Sequence, residues 1–261
     1  MFRLHESFTF LTFKAVYSLQ DVRMYLLFRA VDPLLLYIFF ASMGASILGS
    51  EYIHFIVIGN IFFITARTFF FGLIGMFRYE RQFGTLGLNV CAPTSTFTLI
   101  LRRLLIPFID SLFVILVSLM YAYVIFGIQI KWTSLPALVI FILVLLFSSG
   151  ALALISASIS LTFKDINLFT NVIIGGMQIL CGVYFPITLL PHFVQLISTW
   201  LPLTNSIIGI RFILEGKPFG DTYVYLLKEL IIGFLLFIVA AIMIKMMEGI
   251  AKRSGSLVEI E

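Results

Sequence analysis

The chain has 261 residues, 61% of them hydrophobic and only 11% charged, with a net charge of +4. Counted with glycine and without tyrosine, the apolar share is about 64%, against ~45–50% in soluble domains. A globule of this size cannot keep so much apolar surface from water, which excludes a soluble enzyme, a nucleic-acid binder and a disordered scaffold.

The apolar segments are long and continuous rather than alternating, so the fold class is an all-α membrane protein and not a barrel. The start, Met1-Phe2-Arg3-Leu4-His5-Glu6, has no basic region followed by a short apolar core and a cleavage site. Targeting is therefore expected to rely on the spans themselves. Cys91 and Cys181 lie far apart in unlike surroundings and read as free thiols.

Residues 2–27 carry Phe8, Leu11, Ala15, Leu19, Val22 and Leu26 at helical spacing, with Arg3, Ser7, Lys14 and Asp21 mostly opposite. This predicts an amphipathic helix in the membrane interface. A first span follows over roughly 30–48, with Pro33 near its start, and then a short link, Gly49-Ser50-Glu51. The second span covers roughly 53–77 and leads into a polar interlude from Arg78 to Ser95. The third covers roughly 104–126, the fourth 135–160 and the fifth 168–185. Residues 186–225 are semi-polar and rich in proline, and the sixth span covers roughly 226–246 before a polar tail, 247–261. Each span is close to the ~20 residues that cross a bilayer core.

Six spans place both termini on one side. Twelve of the 17 Lys and Arg fall on that side, four on the other, and Arg67 lies inside a span. The excess of cations predicts that both termini are cytoplasmic in the cell membrane.

An arginine at mid-bilayer costs roughly 2.5–3.5 kcal/mol on insertion scales, so Arg67 must face a partner, a cavity or carbonyls. Asp110, early in the third span, is a candidate partner; the two either brace a central pathway or simply pack. Phe62, Phe63, Phe69, Phe70 and Phe71 on the second span either line a path for an amphiphile or face lipid and core. Thr65, Gly72 and Gly75 are small and permit close helix approach. Tyr52, Trp132 and Trp200 sit near span ends as interface anchors.

His5, His54 and His192 are scattered, so no metal cluster is expected. Gly44-Ala45-Ser46-Ile47-Leu48 lacks the closing glycine of a nucleophile elbow, and no P-loop stretch occurs. No catalytic or cofactor residue is assigned to this chain.

Two stretches carry more. Arg78-Tyr79-Glu80-Arg81-Gln82-Phe83-Gly84-Thr85-Leu86-Gly87, followed by Pro93-Thr94-Ser95, is charged first and semi-apolar later. It resembles the E-R-E-x-G-T-L-E and Pro-x-S pattern of permeases of the ABC type-2 transporter family. Gln82 and Gly87 stand where that family often has glutamate. Gly182-Val183-Tyr184-Phe185-Pro186, Pro191 and Trp200-Leu201-Pro202-Leu203-Thr204 are similar to the family's G-x-x-F-P … L-P-x-T stretch. The prolines themselves break any single helix there, and the pieces between them are too short to span. Arg211 also fits the family pattern.

The resemblance implies a single type-2 transmembrane domain over 1–261. It comprises the interfacial helix 2–27, spans one to three over 30–126 and spans four to six over 135–246. Within it lie a coupling helix over 78–95 and a re-entrant outer segment over 186–208. Arg78, Glu80, Arg81, Gly84, Thr85, Leu86 and Pro93 would dock on a separate ABC ATPase subunit, which holds ATP and Mg. Gly182, Phe185, Pro186, Pro191 and Pro202, with Arg67 and Asp110, would form the pathway or gate. The implied partners are that ATPase, a second or related permease and membrane lipids, with no nucleic acid. The implied function is export of a drug, antibiotic or peptide, with polysaccharide or glycolipid export as the alternative within the family. From another class, an ion-coupled transporter or channel would need more mid-membrane ionisable groups than Arg67 and Asp110.

Overall fold

In a computed structural model the chain is described over residues 22–82, 101, 104–160 and 167–254. Eight α-helices carry these residues: α1 Val22–Leu48, α2 Ile53–Gln82, α3 Leu105–Val124, α4 Leu135–Ser160, α5 Asn167–Leu180, α6 His192–Trp200, α7 Thr204–Leu214 and α8 Phe219–Ser254. Five stretches, in α1, α2, α3, α4 and α8, are long and apolar enough to cross a membrane, or six with α6 and α7 counted as one bent span. The protein is an all-α, multi-pass membrane protein.

Three boundaries differ from the sequence reading. α1 begins by Val22, so residues 22–27 continue the first span instead of ending an interfacial helix; residues 1–21 lie outside the described residues. Pro33 is consequently inside α1, where it removes one backbone hydrogen bond from the helix ladder. Where the sequence reading expects a fifth span over 168–185, α5 is a helix of only 14 residues, about 21 Å long and short of a ~30 Å bilayer core, because the helix ends at Leu180. α8 starts at Phe219 and runs to Ser254, absorbing part of both the proline-rich stretch and the tail.

α2 is the most enclosed of the long helices, and α1 and α8 are the least. One face of α2 packs on α4 and another on α3, while α4 also pairs extensively with α8. Phe62, Phe63, Phe69 and Phe70 are all buried in the resulting core with Phe141, Leu145 and Leu154 of α4. The aromatic run of α2 is thus mainly packing, and only Phe71 stays half-buried. α4 buries Ser149, Ser156 and Ser158, and each hydroxyl donates to a carbonyl three or four residues back. Tyr37 of α1 and Ser118 of α3 share a buried hydroxyl–hydroxyl bond of 2.7 Å. Cys181 is buried and free.

Candidate functional site

The site is organised along α2, a rod of 30 residues, about 45 Å long. At its Ile53 end the α5–α6 corner and α7 press against it. α5 closes at Gly182, whose φ of +70° is left-handed, a conformation in which a side chain is strained. A Cβ there would also sit 2.9 Å from Ile187 Cγ1. Pro186 precedes the short helical turn Ile187–Leu189, and Pro191 precedes α6. α6 and α7 are bent 88° to each other at Leu201–Leu203. Pro202 is buried, and its carbonyl faces the Cys181 thiol at 3.4 Å. Phe185 is half-buried at the corner.

Two buried charges lock this corner. Arg211 of α7 is 7% exposed. Its guanidinium donates to the carbonyls of Gly182 at 2.8 Å and of Val183 and Phe55 at 3.0 Å. It also lies over the Phe55 ring, 3.4 Å from the centroid. One side chain therefore ties α7 to the end of α5 and to the first turn of α2. The approach is close enough that a Cβ on Gly59 would come within 2.3 Å of the Val183 carbonyl oxygen and 2.4 Å of an Arg211 nitrogen.

Glu229 of α8 is fully buried. Its carboxylate accepts the Leu203 N–H at 2.7 Å, the Ser206 N–H at 3.3 Å and the Ser148 hydroxyl. Leu203 is the residue preceding α7, so Glu229 satisfies helix-start donors and sits at the positive end of the helix dipole. Leu203 carries a φ of +82°, the one non-glycine value of this kind among the described residues. Glu229 holds that strained corner. The sequence reading did not single out Glu229, which falls inside its sixth span, 226–246.

Nearer the Gln82 end, a cavity of about 510 Å³ opens between α1 and α2, lined by Arg29, Asp32, Arg67, Phe71, Arg78 and Tyr79 among others. Asp110 lies beside it but does not pair with Arg67. Its carboxylate is 2.5 Å from the Arg29 guanidinium and accepts the Tyr25 hydroxyl. The candidate Arg67–Asp110 pair does not form: Arg29 and Tyr25 of α1, a helix that precedes both positions in sequence, take the Asp110 carboxylate instead. Arg67 instead lies over Phe71, one turn along its own helix, at 5.6 Å. Arg78 lies over the Tyr79 ring at 5.7 Å. α2 continues as helix through Glu80 and Arg81 to Gln82. Gly84, Thr85, Leu86 and Pro93 lie outside the described residues, as do the side chains of Glu80 and Arg81.

A second, apolar cavity of about 350 Å³ lies near the corner, lined by Phe40, Met43, Gly44, Ile56, Phe185 and Leu189 among others. No group of three or more His, Cys, Asp or Glu that would hold a metal occurs among the described residues.

No match was found among curated proteins. A family model described as ABC-2 type transporter matches residues 7–214, well over half of the chain. That stretch runs from the N-terminal segment through the cavity, the segment after Gln82 and the locked corner to the end of α7, and the chain belongs to the ABC-2 type transporter family as a membrane-spanning permease.

Proposed function

We propose that the chain is one membrane-spanning half of an ATP-driven exporter in the cell membrane, moving a hydrophobic or amphiphilic cargo such as a drug, antibiotic or peptide. The hydrolysis belongs to a separate ABC ATPase subunit that holds ATP and Mg and docks on residues 78–95. A second copy or a related permease completes the pathway. Both termini face the cytoplasm, α5 crosses to the outer side, and α6 and α7 re-enter there.

The observation that carries this reading is the unbroken course of α2. Its Gln82 end runs straight into the segment assigned to the ATPase. Its other end offers the Phe55 carbonyl and the Gly59 surface to Arg211. A helix transmits axial displacement over its length because its backbone bonds are satisfied internally. Movement imposed by nucleotide at one end therefore reaches the corner at the other. Such coupling requires two states that bind ATP and cargo with different affinities.

The test is purification of the full chain in mild detergent from membranes of its own host. A P-loop ATPase is expected to accompany it, ATP turnover to require both, and cargo to raise that turnover. Cargo movement by the chain alone, or labelling of residues 78–95 from outside intact cells, would overturn the reading.

A further inference from the structure

Arg67 of α2 lies half-buried within one apolar span, and Asp32 of α1 stands exposed within another. Both line the larger cavity, of about 510 Å³. Among the described residues neither makes a hydrogen bond or an ion pair; the one contact of this kind is between Arg67 and the Phe71 ring. The other charges around the cavity are engaged. Arg29 is held by Asp110, and Arg78 has partners that include the Tyr79 ring. One cation and one anion remain, and each is costly where it stands, inside a span and without a counter-charge.

The packing of α1 on α2 puts these two at one level. Gly44 of α1 sits so close to Ile56 of α2 that a Cβ on it would collide with the isoleucine side chain. The two helices run side by side in opposite chain directions, joined by the short link Gly49–Tyr52. Asp32 lies about 18 Å along α1 from Gly44, and Arg67 about 17 Å along α2 from Ile56, at ~1.5 Å per residue. The carboxylate and the guanidinium therefore flank the cavity at the same depth without closing into a pair. One turn further toward the Gln82 end each helix adds an aromatic ring to the lining, Phe28 after Asp32 and Phe71 after Arg67. A level of opposite charges is thus followed by a level of rings.

We propose that the α1–α2 cavity binds a zwitterion. Its phosphate or carboxylate lies on the Arg67 guanidinium, its ammonium on the Asp32 carboxylate, and its apolar portion between Phe28 and Phe71. The planar fork of arginine meets either anionic group through two parallel N–H donors. Phe28 is exposed, so its ring face also receives a methylated ammonium. A molecule with a single charge satisfies one wall of the cavity and leaves the other unpaired; a zwitterion satisfies both. The same chemistry is offered by a free amphoteric molecule and by the headgroup of a zwitterionic lipid. The site does not depend on the exporter reading; the role of its ligand as cargo rests on that reading.

The experiment uses the full chain in dodecyl maltoside, an uncharged detergent, with binding measured by calorimetry against empty micelles. Three probes share a hexyl chain and differ in the head: hexylphosphocholine, hexyl phosphate and hexyltrimethylammonium. The unaltered chain is expected to bind hexylphosphocholine about tenfold more tightly than either singly charged probe. Arg67→Gln should weaken hexylphosphocholine by about ten- to a hundredfold and turn the preference toward hexyltrimethylammonium. Asp32→Asn, at the more exposed position, should weaken it by about three- to tenfold and turn the preference toward hexyl phosphate. Arg67→Lys and Asp32→Glu keep both charges and should keep the zwitterion preferred. Size exclusion and melting temperature are read for every variant.

Equal affinity for the three probes, or a preference that does not move in folded Arg67→Gln and Asp32→Asn, would overturn the site. So would an unaltered chain that binds none of them while both neutral variants lose stability, which would assign Arg67 and Asp32 to pairing with each other. Lipid added to the micelles separates the sources. Competition by phosphatidylethanolamine alone gives the site to a lipid headgroup, and no competition gives it to a free zwitterion. Equal competition by phosphatidylglycerol would overturn the zwitterion in favour of an anion site. ATP turnover is read separately with the ATPase present. Its absence would count against the exporter reading and leave the binding result standing.

Discussion

Glu229 of α8 accepts the backbone N–H of Leu203 at 2.7 Å, 26 residues away in sequence and at the point where the chain turns into α7. Buried helix starts need such acceptors, since their first N–H groups have no partner within the helix. Removing this one leaves the Leu203 and Ser206 donors in a dry environment. Glu229→Ala should cost about 2–4 kcal/mol, combining a lost cap with unsatisfied buried donors. Glu229→Gln keeps one acceptor oxygen and should cost less than half of that. Thermal unfolding in detergent checks the order: equal melting temperatures for wild type and Glu229→Ala would remove Glu229 from its assigned role.

The Arg211 lock predicts an unusual glycine. At an open helix position Gly→Ala stabilises by up to ~1 kcal/mol, as Gly249→Ala should, with nothing within 4 Å of its added Cβ. At Gly59 the same methyl would collide with the Val183 carbonyl and the Arg211 guanidinium. Gly59→Ala should therefore destabilise by about 1–3 kcal/mol, as overpacking does, and loosen the corner. Limited proteolysis of the Pro186–Pro202 stretch should accelerate in Gly59→Ala and in Arg211→Gln, and not in Gly249→Ala. Equal protection in all three would mean that the corner is held by other contacts.

Most of the span layout was legible because apolar length is a composition property. The corner was legible too, since Pro186, Pro191 and Pro202 forbid a single helix there whatever surrounds them. What pattern did not reveal was helix rotation and neighbourhood. Arg67 and Asp110 both stood out, but Asp110 found Arg29, 81 residues earlier on a helix whose start had been assigned to the interface. The aromatic run of α2 had two readings at the same spacing, and burial of Phe62, Phe63, Phe69 and Phe70 against α4 favours the packing one. Glu229 escaped because its acceptor role depends on α7 starting beside it, a tertiary relationship with no local sign.

The Arg29–Asp110 pair makes a quantitative test of that correction. The Asp110 side chain is 4% exposed and that of Arg29 31%, so the pair is partly screened on one side. A double-mutant cycle with Arg29→Gln and Asp110→Asn should give a coupling of about 1–3 kcal/mol, below that of fully enclosed pairs. The same cycle for Arg67→Gln and Asp110→Asn should fall within ~0.5 kcal/mol of additivity. Chemical denaturation in detergent measures both. A larger coupling for Arg67 than for Arg29 would restore the pairing that spacing alone suggests.

Glu80 and Arg81 test the other end of α2. The helix backbone carries both past the apolar window, which ends at Met76, so neither is needed to insert the span. If they meet complementary charges on an ATPase, reversing them places like charges in contact, a change worth several kcal/mol. Glu80→Lys with Arg81→Glu should weaken association with the ATPase by about a hundredfold, roughly 3 kcal/mol, and the wild-type interaction should weaken with salt. Membrane insertion and thermal stability of the isolated chain should not move, because those depend on the buried faces of α2 against α3 and α4. Association measured at equal expression separates the cases: if it is undiminished in the reversed variant, the motor grips the permease somewhere other than the first turns beyond α2's apolar stretch.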